Sequence, residues 1–231
     1  MKTQDVAPQR SIKSTQLLSH FLALALFAAS GGSVLAATAS VTPEESLKRL
    51  QDGNGRFVAD TPKQTTKDAK RRAEVAQGQK PFAIIVSCSD SRVGPEVVFD
   101  QGLGDLFVVR SAGHVVDDVG LGSIEYAVEH LGASLILVLG HERCGAVAAT
   151  VAGGEVQGHL PAIVKAIKPA VTKAKGQPGD AVDNAVRAQV LEVVQQLQKT
   201  GPLLAERVNA GKLKVAGARY DLDTGYVEVI E

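Results

Sequence analysis

Two short motifs, far apart in the chain, together carry three side chains of the kinds that bind zinc in proteins. Cys88 opens the sequence Cys-Ser-Asp-Ser-Arg, and His141 and Cys144 flank a Glu-Arg pair in the second motif. Two thiolates and one imidazole fill three of the four positions around a tetrahedral zinc ion, and an open fourth position is typical of catalytic zinc sites. The motifs therefore predict one catalytic Zn2+ per subunit.

A disulfide between Cys88 and Cys144, the only two cysteines of the chain, is the alternative interpretation. A disulfide needs neither a histidine three residues before Cys144 nor an aspartate two residues after Cys88. The positions of His141 and Asp90 thus favour a metal site.

Each motif follows a short apolar run rich in β-branched residues, at 82–86 and at 135–139. Such runs are typical of buried strands in a parallel sheet. The ligands are therefore expected just past the carboxyl ends of two strands, which is where open α/β sheets bind ligands.

Helix and strand patterns alternate along the rest of the chain, which predicts an α/β fold with a mainly parallel sheet flanked by helices. The expected helices cover 44–59, 67–76, 119–131, 141–152, 161–175 and 181–200, and further strands cover 106–109, 134–139, 213–216 and 226–230. The last two strands flank Asp223-Thr224-Gly225 and should form an antiparallel hairpin. The first two helices lie outside the sheet pattern and form an N-terminal helical arm.

The N-terminal residues have the pattern of a cleavable secretory signal. Lys2, Arg10 and Lys13 precede an apolar stretch at 21–29, and small residues follow it up to Ala39. This stretch is shorter than the roughly 20 residues that span a bilayer. We expect a signal over 1–36 with cleavage between about 36 and 39, one mature domain over 40–231, and export to the periplasm or, alternatively, secretion, with no stable membrane anchor.

Formal charge is balanced, with 25 lysines and arginines against 25 aspartates and glutamates. No basic run is interleaved with aromatic residues. The sequence therefore gives no reason to expect a nucleic acid as a partner.

Five blocks of the sequence, in this order, resemble the β-class carbonic anhydrases. They cover 46–58, 88–92, 100–110, 122–128 and 141–145. The resemblance implies reversible hydration of carbon dioxide to bicarbonate and a proton by zinc-bound hydroxide, in a homodimer or higher oligomer. Hydrolysis of carbonyl sulfide or carbon disulfide at the same site is one alternative, and a noncatalytic zinc-binding protein is another.

The resemblance also implies roles for Asp90 and Arg92, whose spacing from Cys88 projects all three side chains to one side of an extended chain. Arg92 would pair with Asp90. The Asp90 carboxylate would then accept the nucleophile's proton and orient the nucleophile's lone pair toward carbon dioxide. The residues implied for substrate binding are Gln79, Phe107, Tyr126 and the backbone N–H of Gly145.

In the resembling family the two aromatic residues reach the site of a partner subunit, and the N-terminal helices extend over that partner. Packing of Phe107 and Tyr126 in the chain's own core, and of the arm on its own sheet, is the alternative.

Five further residues refine these expectations. Ile85 and Ser87 stand where the branch of the family that closes its site with bicarbonate has tryptophan and glycine, so an open, plant-type-like site is expected. His114 stands where asparagine is frequent and could shuttle protons, with a structural role as the alternative. Glu142 and the adjacent arginine are expected to face solvent at a helix start.

Overall fold

A mixed sheet of five strands forms the centre of the part of the chain that the structure describes. The computed structural model describes residues 41–63 and 68–230. Its strands are β1 Ala83–Cys88, β2 Leu106–Ser111, β3 Leu135–His141, β4 Lys214–Tyr220 and β5 Val227–Ile230, in the order β2-β1-β3-β4-β5. All neighbours pair in parallel except β4 and β5, which are antiparallel. The predicted sheet and its terminal hairpin are confirmed.

Helices flank this sheet. They are α1 Pro43–Val58, α2 Ala69–Val75, α3 Pro95–Val98, α4 Asp118–His130, α5 Gly145–Ala152, α6 Leu160–Ala174, α7 Ala181–Lys199 and α8 Leu203–Asn209, with a 3-10 turn at Ala112–His114. The predicted helix over 141–152 is wrong at its start, because residue 141 completes β3 and a turn precedes α5. The helices α3 and α8 were not expected, because 4 and 7 residues are too few to show helical periodicity.

The signal predicted over 1–36 lies outside the described residues. Within residues 41–63 and 68–230, no helix is long and apolar enough to cross a membrane.

Helix α1 begins at a capping box and is anchored by a buried asparagine. The N–H of Glu45 donates to Thr42 Oγ1 at 3.2 Å, and Glu45 Oε2 accepts from the N–H of Thr42 at 3.0 Å. Asn54 Nδ2 donates to the carbonyl of Gly225 at 2.8 Å, and its Oδ1 accepts from the N–H of Val227 at 2.8 Å. In this chain α1 therefore packs on its own subunit.

The core lies on both faces of the sheet. Ile84, Val86, Ile136 and Val138 pack with α4, α7 and α8 on one face, whereas Ile85, Leu137 and Leu139 pack with Leu50 of α1 and Phe99 on the other. Gly140 and Gly217 let α7 approach closely, because a Cβ there would lie 2.5 and 2.7 Å from the side chain of Val190. The sheet is thus held between two layers of helices.

The topology brings two of the motifs together. The chain passes from β1 to β2 on one side and later places β3 on the other side of β1, so the strand order reverses between β1 and β3. Cys88 and His141 are the last residues of these two strands. The sequence predicted that both ligands lie just past the strand ends. In the structure they are instead the final residues of the strands.

Candidate metal centre and active site

The structure brings the three predicted ligands into one buried cluster. The ligand atoms of Cys88, His141 and Cys144 all lie within 4.8 Å of one another. The two sulfur atoms are 4.0 Å apart. Two thiolates bound to a tetrahedral zinc at about 2.3 Å would have sulfurs about 3.8 Å apart, so the observed spacing fits such an ion.

A backbone hydrogen bond sets the orientation of the His141 ring. Its Nδ1 lies 2.8 Å from the carbonyl oxygen of Glu142. A carbonyl only accepts, so Nδ1 carries a proton, and in the neutral ring Nε2 keeps its lone pair. Nε2 is buried and has no hydrogen-bond partner among the described residues. An orphaned, buried imidazole nitrogen beside two thiols is the arrangement that a metal ion would complete.

The cysteines are free thiols, so the disulfide interpretation is wrong for this structure. Their sulfur separation of 4.0 Å is about twice the S–S bond length of roughly 2.05 Å. Both side chains are buried, which fits soft metal ligands enclosed by protein.

The two thiol groups lie within hydrogen-bonding distance of each other. Hydrogen bonding with Cys144 lowers the pKa of Cys88, and the N–H of Gly113, 3.3 Å from the Cys88 sulfur, acts in the same direction. The same contact with Cys88, together with burial, raises the pKa of Cys144. The pair thus holds one negative charge readily, and a bound cation would favour the second.

Asp90 and Arg92 form the predicted pair beside the cluster. Asp90 Oδ1 accepts from the backbone N–H and Nε of Arg92 at 3.0 and 2.9 Å, and Oδ2 accepts from Nη2 at 2.7 Å. The hydrogen bonds from Arg92 hold the pKa of Asp90 well below its usual range, against the opposing effect of burial. Asp90 Oδ2 lies 3.7 Å from His141 Nε2. The carboxylate is therefore ionised and adjacent to the ligands.

Arg110 supports the same segment, although the sequence assigned it no role. Its Nε donates to the carbonyl of Cys88 at 2.8 Å, and its Nη2 donates to the carbonyl of Asp90 at 2.7 Å. Arg110 reaches these carbonyls because it pairs with Ser87, the neighbour of Cys88, across strands β1 and β2. Only the strand register reveals that pairing.

Three of the substrate residues implied by the resemblance are not at this cluster within the subunit. Phe107 pairs with Ile84 in the sheet, four residues before Cys88, which is a separation of about 13 Å along the strand. The Tyr126 ring lies with it, at 6.4 Å between centroids. Gln79 is exposed and precedes the amino end of β1. Gly145, in contrast, is the first residue of α5, directly after Cys144.

His114 has a different environment from that of a proton shuttle. It is fully buried, and neither ring nitrogen has a partner among the described residues. Burial lowers the pKa of His114 to about 4. The side chain packs beside Gly140, so the structure favours the structural interpretation.

The expectation that Glu142 faces solvent is wrong. Its side chain is 21% exposed and forms ion pairs with Arg219 at 3.7 Å and Arg143 at 3.6 Å. Its Oε2 also accepts from the N–H of Leu222 at 3.2 Å. Arg143 itself is half-exposed and binds the carboxylate of Asp223.

Sequence comparisons identify relatives over most of the chain. A family model described as carbonic anhydrase matches residues 83–227. A carbonic anhydrase of Mycolicibacterium smegmatis is 44% identical over 191 residues, which cover 81% of this chain and 93% of the relative. Carbonic anhydrase 2 of Mycobacterium tuberculosis is 43% identical over 190 residues, covering 80% and 92%.

Solved structures give the same result. The β-carbonic anhydrase CcaA aligns with a TM-score of 0.65 and 27% identity over 80% of this chain and 95% of that one. The Coccomyxa β-carbonic anhydrase, solved with acetazolamide, aligns with a TM-score of 0.63 and 28% identity over 80% and 86%. The shared fold and the extent of sequence identity show that this chain belongs to the β-class carbonic anhydrases.

Proposed function

We propose that the chain is a zinc-dependent carbonic anhydrase that interconverts carbon dioxide and bicarbonate, with Cys88, His141 and Cys144 as the zinc ligands. The buried ligand cluster carries this proposal: its sulfurs are 4.0 Å apart, and Nε2 of His141 has no hydrogen-bond partner among the described residues. The relatives at 43–44% identity that are named carbonic anhydrases support the same reaction.

When bound there, zinc would supply an activated water molecule for attack on carbon dioxide. The residues of the chain do the positioning. Asp90 accepts a hydrogen bond from the attacking oxygen and so fixes the direction of its lone pair. Arg92 holds Asp90 through three hydrogen bonds and keeps the carboxylate ionised across the neutral range. The backbone N–H of Gly145, the first residue of α5, would bind a bicarbonate oxygen.

A homodimer would complete the substrate pocket, with Gln79, Phe107 and Tyr126 lining the site of the neighbouring subunit. Their position far from the chain's own cluster supports this assignment. Strand β2, which carries Phe107, is at an edge of the sheet, and Tyr126 is 48% exposed beside it. β-Carbonic anhydrases of Sordaria macrospora, aligned with a TM-score of 0.61 and 26% identity, are described as tetrameric.

The site would stay open across the neutral range, as in the plant-type-like branch. The support is the bidentate pairing of Asp90 with Arg92, together with Ile85 and Ser87 at the positions noted above. Activity should then fall smoothly toward acid, following one proton. A steep loss that follows several protons, or X-ray absorption at alkaline pH that places the Asp90 carboxylate on the metal, would contradict an open site.

The protein would be exported, with cleavage between about residues 36 and 39 and a mature domain over 40–231. The charged, apolar and small-residue segments of the N-terminus support this assignment. N-terminal sequencing of the protein from a periplasmic fraction tests it. Recovery of the uncleaved chain in the cytoplasm would contradict it.

Turnover of carbon dioxide and of carbonyl sulfide by the zinc-loaded protein, measured side by side, tests the proposed reaction. We expect hydration of carbon dioxide to dominate. Preferred hydrolysis of carbonyl sulfide would favour the related hydrolase. Tight zinc binding without either activity would favour the noncatalytic alternative.

A further inference from the structure

Two residues, Glu142 and Arg143, separate the ligands His141 and Cys144, and we name them the ligand link. The loop of the terminal hairpin, Asp221–Tyr226, lies against this link. It joins β4 to β5, about 80 residues later in the sequence.

Four hydrogen bonds join the link to the hairpin. The N–H of Glu142 donates to the carbonyl of Tyr220 at 2.9 Å. Its Oε2 accepts from the N–H of Leu222 at 3.2 Å. The Arg143 guanidinium donates to both carboxylate oxygens of Asp223, at 2.9 and 2.7 Å. The link is therefore held by the end of β4 and by the loop that follows it.

Arg219 of β4 connects these contacts to the rest of the fold. Its side chain is only 11% exposed, and its guanidinium pairs with Asp183 at 2.5 Å, Asp221 at 3.1 Å and Glu142 at 3.7 Å. Asp221 in turn accepts from the backbone N–H and the hydroxyl of Thr224, both at 2.9 Å, which fixes the loop. One partly buried cation thus joins α7, the hairpin loop and the ligand link.

The link transmits this restraint directly to the metal ligands. The Glu142 carbonyl is the acceptor for Nδ1 of His141, at 2.8 Å, and so determines which ring nitrogen is free. Arg143 has a φ of 51°, a left-handed conformation that costs free energy for an arginine and needs support from its surroundings. The direction of the His141 ring and the turn to Cys144 both depend on how the link is held.

We propose that Arg219 and the hairpin loop are a clamp on the ligand link, and that Arg219 and Glu142 are positioning residues for His141. The proposal rests on the metal role proposed above for His141. Among the contacts, the pairing of Arg143 with Asp223 contributes least, because both side chains are more than half exposed and water screens them. The partly buried pair of Arg219 with Glu142 is the main element of the clamp.

Zinc affinity tests the clamp, measured by competition with a chromophoric chelator on the full chain. We expect Arg219→Gln and Glu142→Gln to weaken zinc binding by about 10- to 100-fold, as loss of groups that orient metal ligands does. Arg219→Lys, which keeps the charge but loses the planar fork, should give an intermediate loss. Arg187→Gln is the matched control, because Arg187 binds Asp183 and Glu228 of the same cluster but does not contact Glu142.

A second measurement does not depend on metal. Exchange of the Nδ1 proton of His141, followed by NMR in the zinc-free chain, should be faster in Arg219→Gln than in Arg187→Gln. If Arg219→Gln does not fold, the same two measurements on Glu142→Gln test the clamp. The glutamine amide oxygen still accepts the hydrogen bond from the N–H of Leu222, but it carries no charge to pair with Arg219. Parental zinc affinity and proton exchange in Glu142→Gln, or equal losses in Arg187→Gln, would overturn the clamp. If the unsubstituted protein binds zinc but does not hydrate carbon dioxide, the proposed function is refuted. The zinc affinities and proton exchange of the variants would still test the clamp.

Discussion

At the scale of single residues, Asp90 is the side chain whose charge matters most. We predict that Asp90→Asn keeps zinc but lowers the rate of carbon dioxide hydration by about 100-fold or more, because an amide cannot take up and orient the nucleophile's proton as a carboxylate does. Ser91→Ala is the control, since Ser91 is an exposed neighbour in the same loop. Zinc analysis and stopped-flow rates on both variants check this. A near-parental rate for Asp90→Asn would make Asp90 a bystander.

The sequence predicted the site residues that belong to short motifs. It missed the residues that reach the site only through strand register or the packing of distant elements. Cys88, Asp90 and Arg92 are close along the chain, and their chemistry can be inferred from residue type and spacing. Arg110 reaches the Cys88 carbonyl only because β1 and β2 pair in one register. Glu142 meets Arg219 only once the terminal hairpin has packed, and no local pattern indicates that contact.

At the scale of elements, the packing of α1 depends on one glycine. A Cβ on Gly53 would lie 1.9 Å from the backbone oxygen of Phe99, whereas a Cβ on Gly55 would meet nothing within 4 Å. We predict that Gly53→Ala destabilises the fold by at least about 2 kcal/mol, because α1 must move away. Gly55→Ala should stabilise the fold by up to about 1 kcal/mol through helix propensity. Urea unfolding of both variants tests this pair, and equal stabilities would contradict the close packing of α1.

The ion cluster between α7 and β4 predicts a loss of stability in acid. Burial opposes the charge of Asp183, but hydrogen bonds from Arg219 and Arg187 outweigh it and leave the pKa of Asp183 lowered. A carboxyl with a lowered pKa stabilises the fold above its unfolded pKa of about 3.9, and this contribution disappears as pH falls through the folded value. The free energy of unfolding should therefore depend less on pH below about 4 in Asp183→Asn than in the parent. Denaturant unfolding of both proteins at several pH values below about 4 checks this prediction. The same dependence of the unfolding free energy on pH in both proteins would contradict it.

The elements that the sequence predicted well are those with a long or strongly apolar pattern. Strands β1 and β3 are buried along their whole length, so their apolar runs were visible. Strand β4 extends to Tyr220, past the predicted end at 216, because Gly217 and Arg219 interrupt its apolar pattern. In the structure Gly217 admits α7 and Arg219 belongs to the ion cluster. These are tertiary reasons that a local pattern does not contain.

At the scale of the whole molecule, we expect activity to depend on a second copy of the chain. We predict that Tyr126→Ala weakens the dimer and lowers activity, because Tyr126 would line the partner's site beside the edge strand β2. Leu160→Ala is the control, since Leu160 is similarly exposed, at 54%, but lies on α6, which carries none of the residues implied for substrate binding. Sedimentation and activity are measured at the same protein concentration. A fully active monomer would contradict this expectation.

The dependence of carbon dioxide hydration on zinc at the Cys88, His141 and Cys144 site can be measured by removing the metal and then restoring it. One preparation is freed of metal with a chelator and then given one zinc per chain, alongside the Cys88→Ser, Cys144→Ser double variant. We predict no hydration rate above background without zinc, full recovery with one equivalent of zinc, and no recovery in the double variant. A hydration rate that survives metal removal, or full zinc occupancy and activity in the double variant, would contradict it.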